Sequence, residues 1–214
     1  MIKRPLISSL LLTLATSIIG HSQHTFQISK ASKRFDVRVT VEKCDDAFCR
    51  GSATFRISEK GKRGAFQVLK LAETQFMVEE PELVDGKRMY DAQSIVFFED
   101  FDFDGSEDLA IRSGFEGGYG GPSYDVYLYS PGARKFTRNS AFTRLAQWPY
   151  LGMFYVEHKR KRIRVFSKSG CCRHYMEEYQ VIAGRPRMVK EVSEYYNMKG
   201  DGMIDTDTPG VGQR

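Results

Sequence analysis

The sequence predicts an all-β protein, an antiparallel sandwich or barrel-like domain with little helix. Three observations predict it. Short apolar runs alternate with polar residues at a two-residue period along most of the chain. Glycine or proline interrupts almost every segment long enough to be a helix. Aromatic residues make up 13% of the chain, a share that suits a sheet-rich interior.

At the start of the chain, Lys3 and Arg4 precede an apolar run over 6–19. That run is too short for a stable membrane anchor and reads as a signal peptide, 1–22. Gly20 and Ser22 are the small residues a signal peptidase would read, so the mature chain is expected to begin at Gln23. There is no cysteine at the cleavage site and no later apolar stretch of spanning length. These features predict a soluble periplasmic or secreted product, neither lipid-anchored nor membrane-spanning. The formal charge of +5 falls to +3 once Lys3 and Arg4 are removed. So mild a balance gives no case for nucleic acid, which an exported protein would rarely meet.

The remainder suits one domain, 23–205, followed by a flexible tail, 206–214. Over 34–42 the alternation is strict, with Phe35, Val37, Val39 and Val41 on one face. It returns at Ala53, Phe55 and Ile57, which predicts an opening hairpin. Further strands are expected within 66–71, 74–78, 94–98, 109–112, 124–129, 153–156, 163–167, 175–182 and 188–195. The segment 139–151 is the best candidate for one short helix, with Phe142, Leu145 and Trp148 on one side.

Four cysteines in an exported chain read as disulfides. Cys44 and Cys49 flank a polar turn that a local bridge would close. Cys171 and Cys172 are adjacent; a vicinal ring, bonds elsewhere and the reduced state all stay open for them.

The strongest chemical signal is the run from Asp100 to Asp108, DFDFDGSED. Asp100, Asp102, Asp104 and Asp108 hold loop positions one, three, five and nine, Ser106 offers a carbonyl at seven, and Gly105 permits the turn at six. Alternating carboxylates aim hard oxygen ligands at one centre, the chemistry of a calcium ion. Ile111 stands where an EF-hand has its bidentate glutamate, so the loop resembles the type found between strands in integrin-type repeats. A weaker echo at 197–205 has Lys199 in place of an acid and reads as a plain turn.

A glycine-dense stretch follows: Gly117, Gly118, Tyr119, Gly120, Gly121, Pro122 and Ser123, leading into a strand at Tyr124. Such density is entropically costly and implies backbone geometry that other residues would forbid. Tyr119 can project a ring with a hydroxyl tip, the side-chain type that fills a pocket. No lysine or helix follows as a phosphate-binding loop requires.

Three stretches, 100–112, 117–129 (GGYGGPSYDVYLY) and 168–174 (KSGCCRH) followed by Glu178 and Tyr179, resemble exported bacterial immunity proteins. Those proteins guard the periplasm against peptidoglycan hydrolases delivered by type IV and type VI secretion systems. The resemblance implies a fold akin to periplasmic lysozyme inhibitors, with calcium bound beside a loop that plugs the hydrolase cleft. Tyr119 would be the plug, bordered by Ser123 and Tyr124, set against the catalytic carboxyl of a glycosidase. The expected partner is thus a secreted or injected peptidoglycan hydrolase, and the chain itself is not an enzyme.

Catalytic readings fare worse. Cys171 and Cys172 near His174 are too close in a strand, and too prone to oxidation in an exported chain, to serve as a thiolate pair. Glu99, Glu107 and Glu116 suggest solvent-facing acids. The basic run 158–162 reads as a solvated turn, and Tyr124, Tyr127, Tyr129, Tyr175 and Tyr179 as core and sheet face. The alternative function is a calcium-stabilised wall- or glycan-binding module.

Overall fold

The computed structural model describes residues 23–78, 83–84, 87–88, 95–196 and 203–208. The expected signal peptide, 1–22, and residues 197–202 of the turn expected at 197–205 lie outside the described residues; 203–205 belong to a strand and not to a turn. The fold is all-β and sandwich-like, with three antiparallel sheets of four or five strands and a small two-stranded ribbon. No sheet closes into a barrel among the described residues.

The first sheet joins β1 (His24–Ile28), β2 (Phe35–Asp45), β3 (Phe48–Glu59) and β4 (Gln67–Met77) in chain order. Its register follows from the alternation: Val37, Val39 and Val41 stand opposite Ile57, Phe55 and Ala53, and all six are buried. Slipping either strand by one residue would turn this set to solvent, so the apolar pattern fixes the pairing. Truncating a fully buried ring such as Phe55 to alanine costs about 3–5 kcal/mol. β4 fuses the two separate strands expected at 66–71 and 74–78, and a bulge after Gly51 absorbs the irregularity. β1 was not foreseen; its His24 pairs with Val41.

The ribbon is β5 (Leu83–Val84) with β6 (Lys87–Arg88). The second sheet comprises β7 (Val96–Glu99), β8 (Asp108–Gly114), β9 (Ser123–Ser130) and β10 (Lys135–Arg138) in the order β10-β9-β8-β7. One face packs on the first sheet, where Phe35, Phe98, Tyr129 and Phe136 form an aromatic cluster. The other face meets the third sheet through Ala110, Tyr124 and Val126. β8 is therefore covered on both sides, which explains why its sequence does not alternate cleanly.

A short helix, α1 (Ser140–Arg144), then bridges to the third sheet. Asn139 caps it, its side chain accepting from the Ala141 and Phe142 amides at 3.0 and 3.2 Å. The helix expected over 139–151 ends at Arg144, with Leu145 as its C-cap. Phe142 and Leu145 are buried as expected, but Trp148 is 74% exposed and belongs to no core.

The third sheet runs β11 (Tyr155–Glu157), β12 (Arg162–Ser169), β13 (Arg173–Ile182), β14 (Arg185–Tyr196) and β15 (Met203–Thr208). The strand expected at 153–156 is shorter than predicted, because Met153 and Phe154 insert into the core with Phe142. Residues 206–208, the start of the tail expected at 206–214, pair with β14 at Ser193, Val192 and Glu191, and the rest of that tail lies outside the described residues. Both disulfides form within hairpins, Cys44 to Cys49 at the tip of β2 and β3, and Cys171 to Cys172 between β12 and β13. The vicinal ring is thus the state adopted among those the sequence left open.

Candidate functional site: an acidic loop and a glycine loop at opposite ends of one strand

The acidic loop leads into β8. Three of the five predicted ligands, Asp100, Asp102 and Asp108, bring carboxylate oxygens within 4.8 Å of one another and can hold a metal ion. Asp104 lies outside that group of carboxylates. Asp104 has its Oδ1 turned back to accept the Ser106 amide at 2.7 Å. The loop is wound by backbone donors on the same acids: Asp100 accepts the amides of Asp104 and Gly105, each at 3.0 Å. Gly105 adopts φ +90°, which the turn requires.

Asp108 anchors this loop to the core. It is fully buried and accepts the Tyr129 amide at 2.7 Å and the Phe101 amide at 2.9 Å. Burial pushes its carboxyl up to about 8; Asp102 and Asp104 push the same way, and the two amides oppose the shift. Burial and the neighbouring Asp104 also raise Asp102. An all-oxygen donor set in which like charges crowd together fits a hard cation, which would relieve that repulsion.

Two turns of the third sheet close on this loop. His158 places Nε2 3.0 Å from Glu99 and its ring edge-on to Phe103, and a Cβ on Gly184 would lie 3.7 Å from Asp102 Oδ2. Residues 158–161 of the basic run form the exposed turn the sequence predicts, whereas Arg162 is the first residue of β12 and half-buried; Arg160 is tied to Glu157 and Glu178 at 2.9 and 2.5 Å.

The glycine loop leaves the far end of β8. Six residue steps separate Asp108 from Gly114, roughly 20 Å of extended chain, so the acidic centre is not beside the loop as expected. β8 connects the two. Gly117 and Gly118 are buried with no room for a side chain: a Cβ on Gly118 would fall 2.5 Å from the Pro149 carbonyl oxygen, and one on Gly117 2.6 Å from that of Pro122. Gly120 needs φ +71°, and Gly121 donates its amide to the Gly118 oxygen at 3.0 Å. Pro122 packs against Gly152, where a Cβ would be 2.9 Å from its ring.

These contacts display one residue. Tyr119 is 62% exposed, at φ 56°, with Lys168 Nζ 4.2 Å from its ring centre. Ser123 and Tyr124, the residues expected to border the plug, are fully buried beneath it, and Tyr124 is the core residue the sequence predicts. Ser123 Oγ accepts from Ser113 Oγ and from the Glu116 amide, which pins the base of the loop. The Tyr124 hydroxyl accepts from buried Arg112 at 3.3 Å, and that guanidinium lies 4.5 Å from the Phe115 ring.

Neither a family model nor a curated protein matches the chain. A solved structure of a Xanthomonas Type IV Secretion System related protein is similar, with a TM-score of 0.70 over 92% of this chain and 94% of that one. The likeness is one of fold. At 19% identity it carries no residue across.

The segment 147–151 is the part of the site the sequence did not point to. Trp148 donates its amide to the Glu116 oxygen at 2.9 Å, and Tyr150 accepts the Gly118 amide at 2.6 Å. A lone tryptophan before a proline was the available signal, but a helical reading placed it in the core. Among the described residues no helix is long and apolar enough to cross a membrane.

Proposed function

We propose that this protein is a periplasmic or secreted inhibitor that protects against a peptidoglycan hydrolase of the lysozyme-like glycosidase class, and that it is not itself an enzyme. The observation that carries this reading is Tyr119, an exposed ring held at a left-handed backbone angle by glycines that have no space for side chains. A loop so fixed loses little conformational freedom on binding. A phenol entering a glycosidase cleft can hydrogen-bond the catalytic carboxyls and offers no glycosidic bond to cut.

Calcium is the ion proposed for the acidic loop. Asp100, Asp102 and Asp108 would hold it, and its charge would stabilise a loop that touches β7, β9 and the turns of the third sheet. The ion is structural in this reading and lies away from the inhibitory tip.

The test is peptidoglycan clearance by c-, g- and i-type lysozymes and chitinase-like muramidases, with the 23–214 chain and its Tyr119→Ala variant. Inhibition by the native chain that the variant lacks supports the plug. Inhibition that survives in the variant excludes it. A second reading, a glycan-binding module, is favoured by the exposure of Tyr119, Trp148 and Tyr155. Peptidoglycan binding with no hydrolase inhibited would select it.

A further inference from the structure

Tyr119 and Trp148 are the two most exposed large hydrophobic side chains among the described residues, at 62% and 74%. Single exposed apolar groups are ordinary on protein surfaces. These two are different because their segments are bonded into one rigid body. The Trp148 amide donates to Glu116, the Gly118 amide to Tyr150, and the Gly118 backbone is packed so closely on Pro149 that no side chain fits. Leu151 in turn donates to Phe166 of β12 at 2.8 Å.

The tryptophan segment is also held from behind. The Tyr150 hydroxyl donates to Glu177 at 2.8 Å and lies 3.1 Å from that of Tyr179, whose own hydroxyl donates to the same carboxylate at 2.5 Å. Trp148 itself has no core to fill. Its ring stands out from a turn closed by the Tyr150 amide on the Gln147 oxygen. The hairpin on which Tyr119 rests carries exposed Lys168 and Arg173 and no acid between them.

We propose that Trp148 is a second anchor of the inhibitory surface, gripping the rim of the hydrolase cleft while Tyr119 enters it. The inference rests on the inhibitor reading and adds a residue and a geometry to it. The occupant is a glycosidase cleft, where paired catalytic carboxylates meet Lys168 and Arg173, and where apolar sugar-binding walls accept an indole. Tryptophan and tyrosine are the side chains that dominate such interfaces, because each buries a large rigid ring at small entropic cost.

Trp148 is the sole tryptophan of the chain, so it can be watched alone. The 23–214 chain is labelled with 5-fluorotryptophan, and its single 19F resonance is followed as each lysozyme or muramidase of the panel is added. Inhibition constants are measured for the native chain, Trp148→Ala and Trp148→Phe. The expected result is a shifted resonance with an inhibited hydrolase, inhibition weakened roughly tenfold or more in Trp148→Ala and partly restored in Trp148→Phe. Thermal unfolding of both variants should match the native chain.

Inhibition with an unmoved resonance and an unchanged constant in Trp148→Ala would overturn the anchor and leave the Tyr119 reading standing. If no hydrolase of the panel is inhibited, both fall together. A resonance that moves with soluble peptidoglycan fragments but with no hydrolase assigns the surface to glycan instead and also overturns the proposal.

Discussion

The Tyr119 hydroxyl donates to the Gly170 carbonyl oxygen at 3.3 Å, joining the glycine loop to the hairpin that carries the vicinal disulfide. Lys168 covers the same ring from the side. The tip of the loop is therefore preset: a left-handed tyrosine between glycines, resting on a hairpin of another sheet. The contact is weak enough to exchange for a partner, since an exposed hydrogen bond and an exposed cation–π pair each contribute about 1 kcal/mol or less. What holds the loop's shape is the glycine backbone packed on Pro149 and Pro122.

Gly118→Ala should therefore disable the loop with Tyr119 still in place. Its new Cβ would fall 2.5 Å from a backbone oxygen, which cannot swing away as a side chain would. Overpacking of this kind costs about 1–3 kcal/mol, and for a chain of this size that lowers Tm by about 2–12 °C. Gly120→Ala is the contrast: no atom lies within 4 Å of its Cβ, so only its positive φ is penalised, by about 1 kcal/mol. Calorimetry beside inhibition assays of the two variants checks this. Equal effects would mean that backbone angle, not the close approach to Pro149, sets the loop.

The acidic loop makes a prediction about metal. Calcium at about one hundred times its Kd should stabilise chelator-stripped protein by about 2.7 kcal/mol, a rise in Tm of about 5–11 °C. Asp102→Asn should remove most of that rise, since Asp102 is one of the three converging carboxylates. Magnesium, which demands tighter octahedral geometry, should give a smaller shift. A melting curve indifferent to calcium would leave the loop as an acidic turn.

How far the sequence disclosed all this depended on whether one face or two were buried. β2 and β3 have one covered face, so their alternation announced strand, register and core together. β8 has two, and there the loop motifs on either side located the strand better than its own pattern did. The ligand spacing brought together Asp100, Asp102 and Asp108 as expected, but could not tell that Asp104 would turn back on Ser106. Tyr119 was readable because glycines bracket it. Trp148 was not, because a helical period and a proline made opposing claims on it. The separation of the two loops by the length of β8 is a topological fact that no local motif contains.

The two disulfides should differ in access. Cys49 is fully buried in the first sheet, whereas Cys171 is exposed at a hairpin tip. A mild thiol reductant followed by alkylation should therefore label Cys171 and Cys172 first, with Cys44 and Cys49 labelled only on unfolding. Mass spectrometry of the alkylated peptides decides it. Replacing the buried bridge by Cys44→Ala with Cys49→Ala should cost about 2 kcal/mol, as its closed loop is short. Simultaneous labelling of all four cysteines under native conditions would show that the first hairpin opens far more readily than its burial implies.

Acid should loosen the joint between the first two sheets through Glu59. This nearly buried carboxylate on β3 accepts from Lys62 and, at 2.7 Å, from Arg34, which also donates to Tyr129 on β9. Those bonds, with Lys62 first and Arg34 second, hold its carboxyl down at about 2, against an ordinary value of 4.5. Because the folded state binds this proton less readily than the unfolded chain, the contribution is fully present above pH 4.5. It is lost as pH falls from there through about 2. Chemical denaturation between pH 2 and 6 should show a steeper acid limb for the native chain than for Glu59→Gln, which has no charge to lose. Parallel limbs would mean that the Arg34–Glu59 pair is as well formed in the unfolded chain as in the folded one.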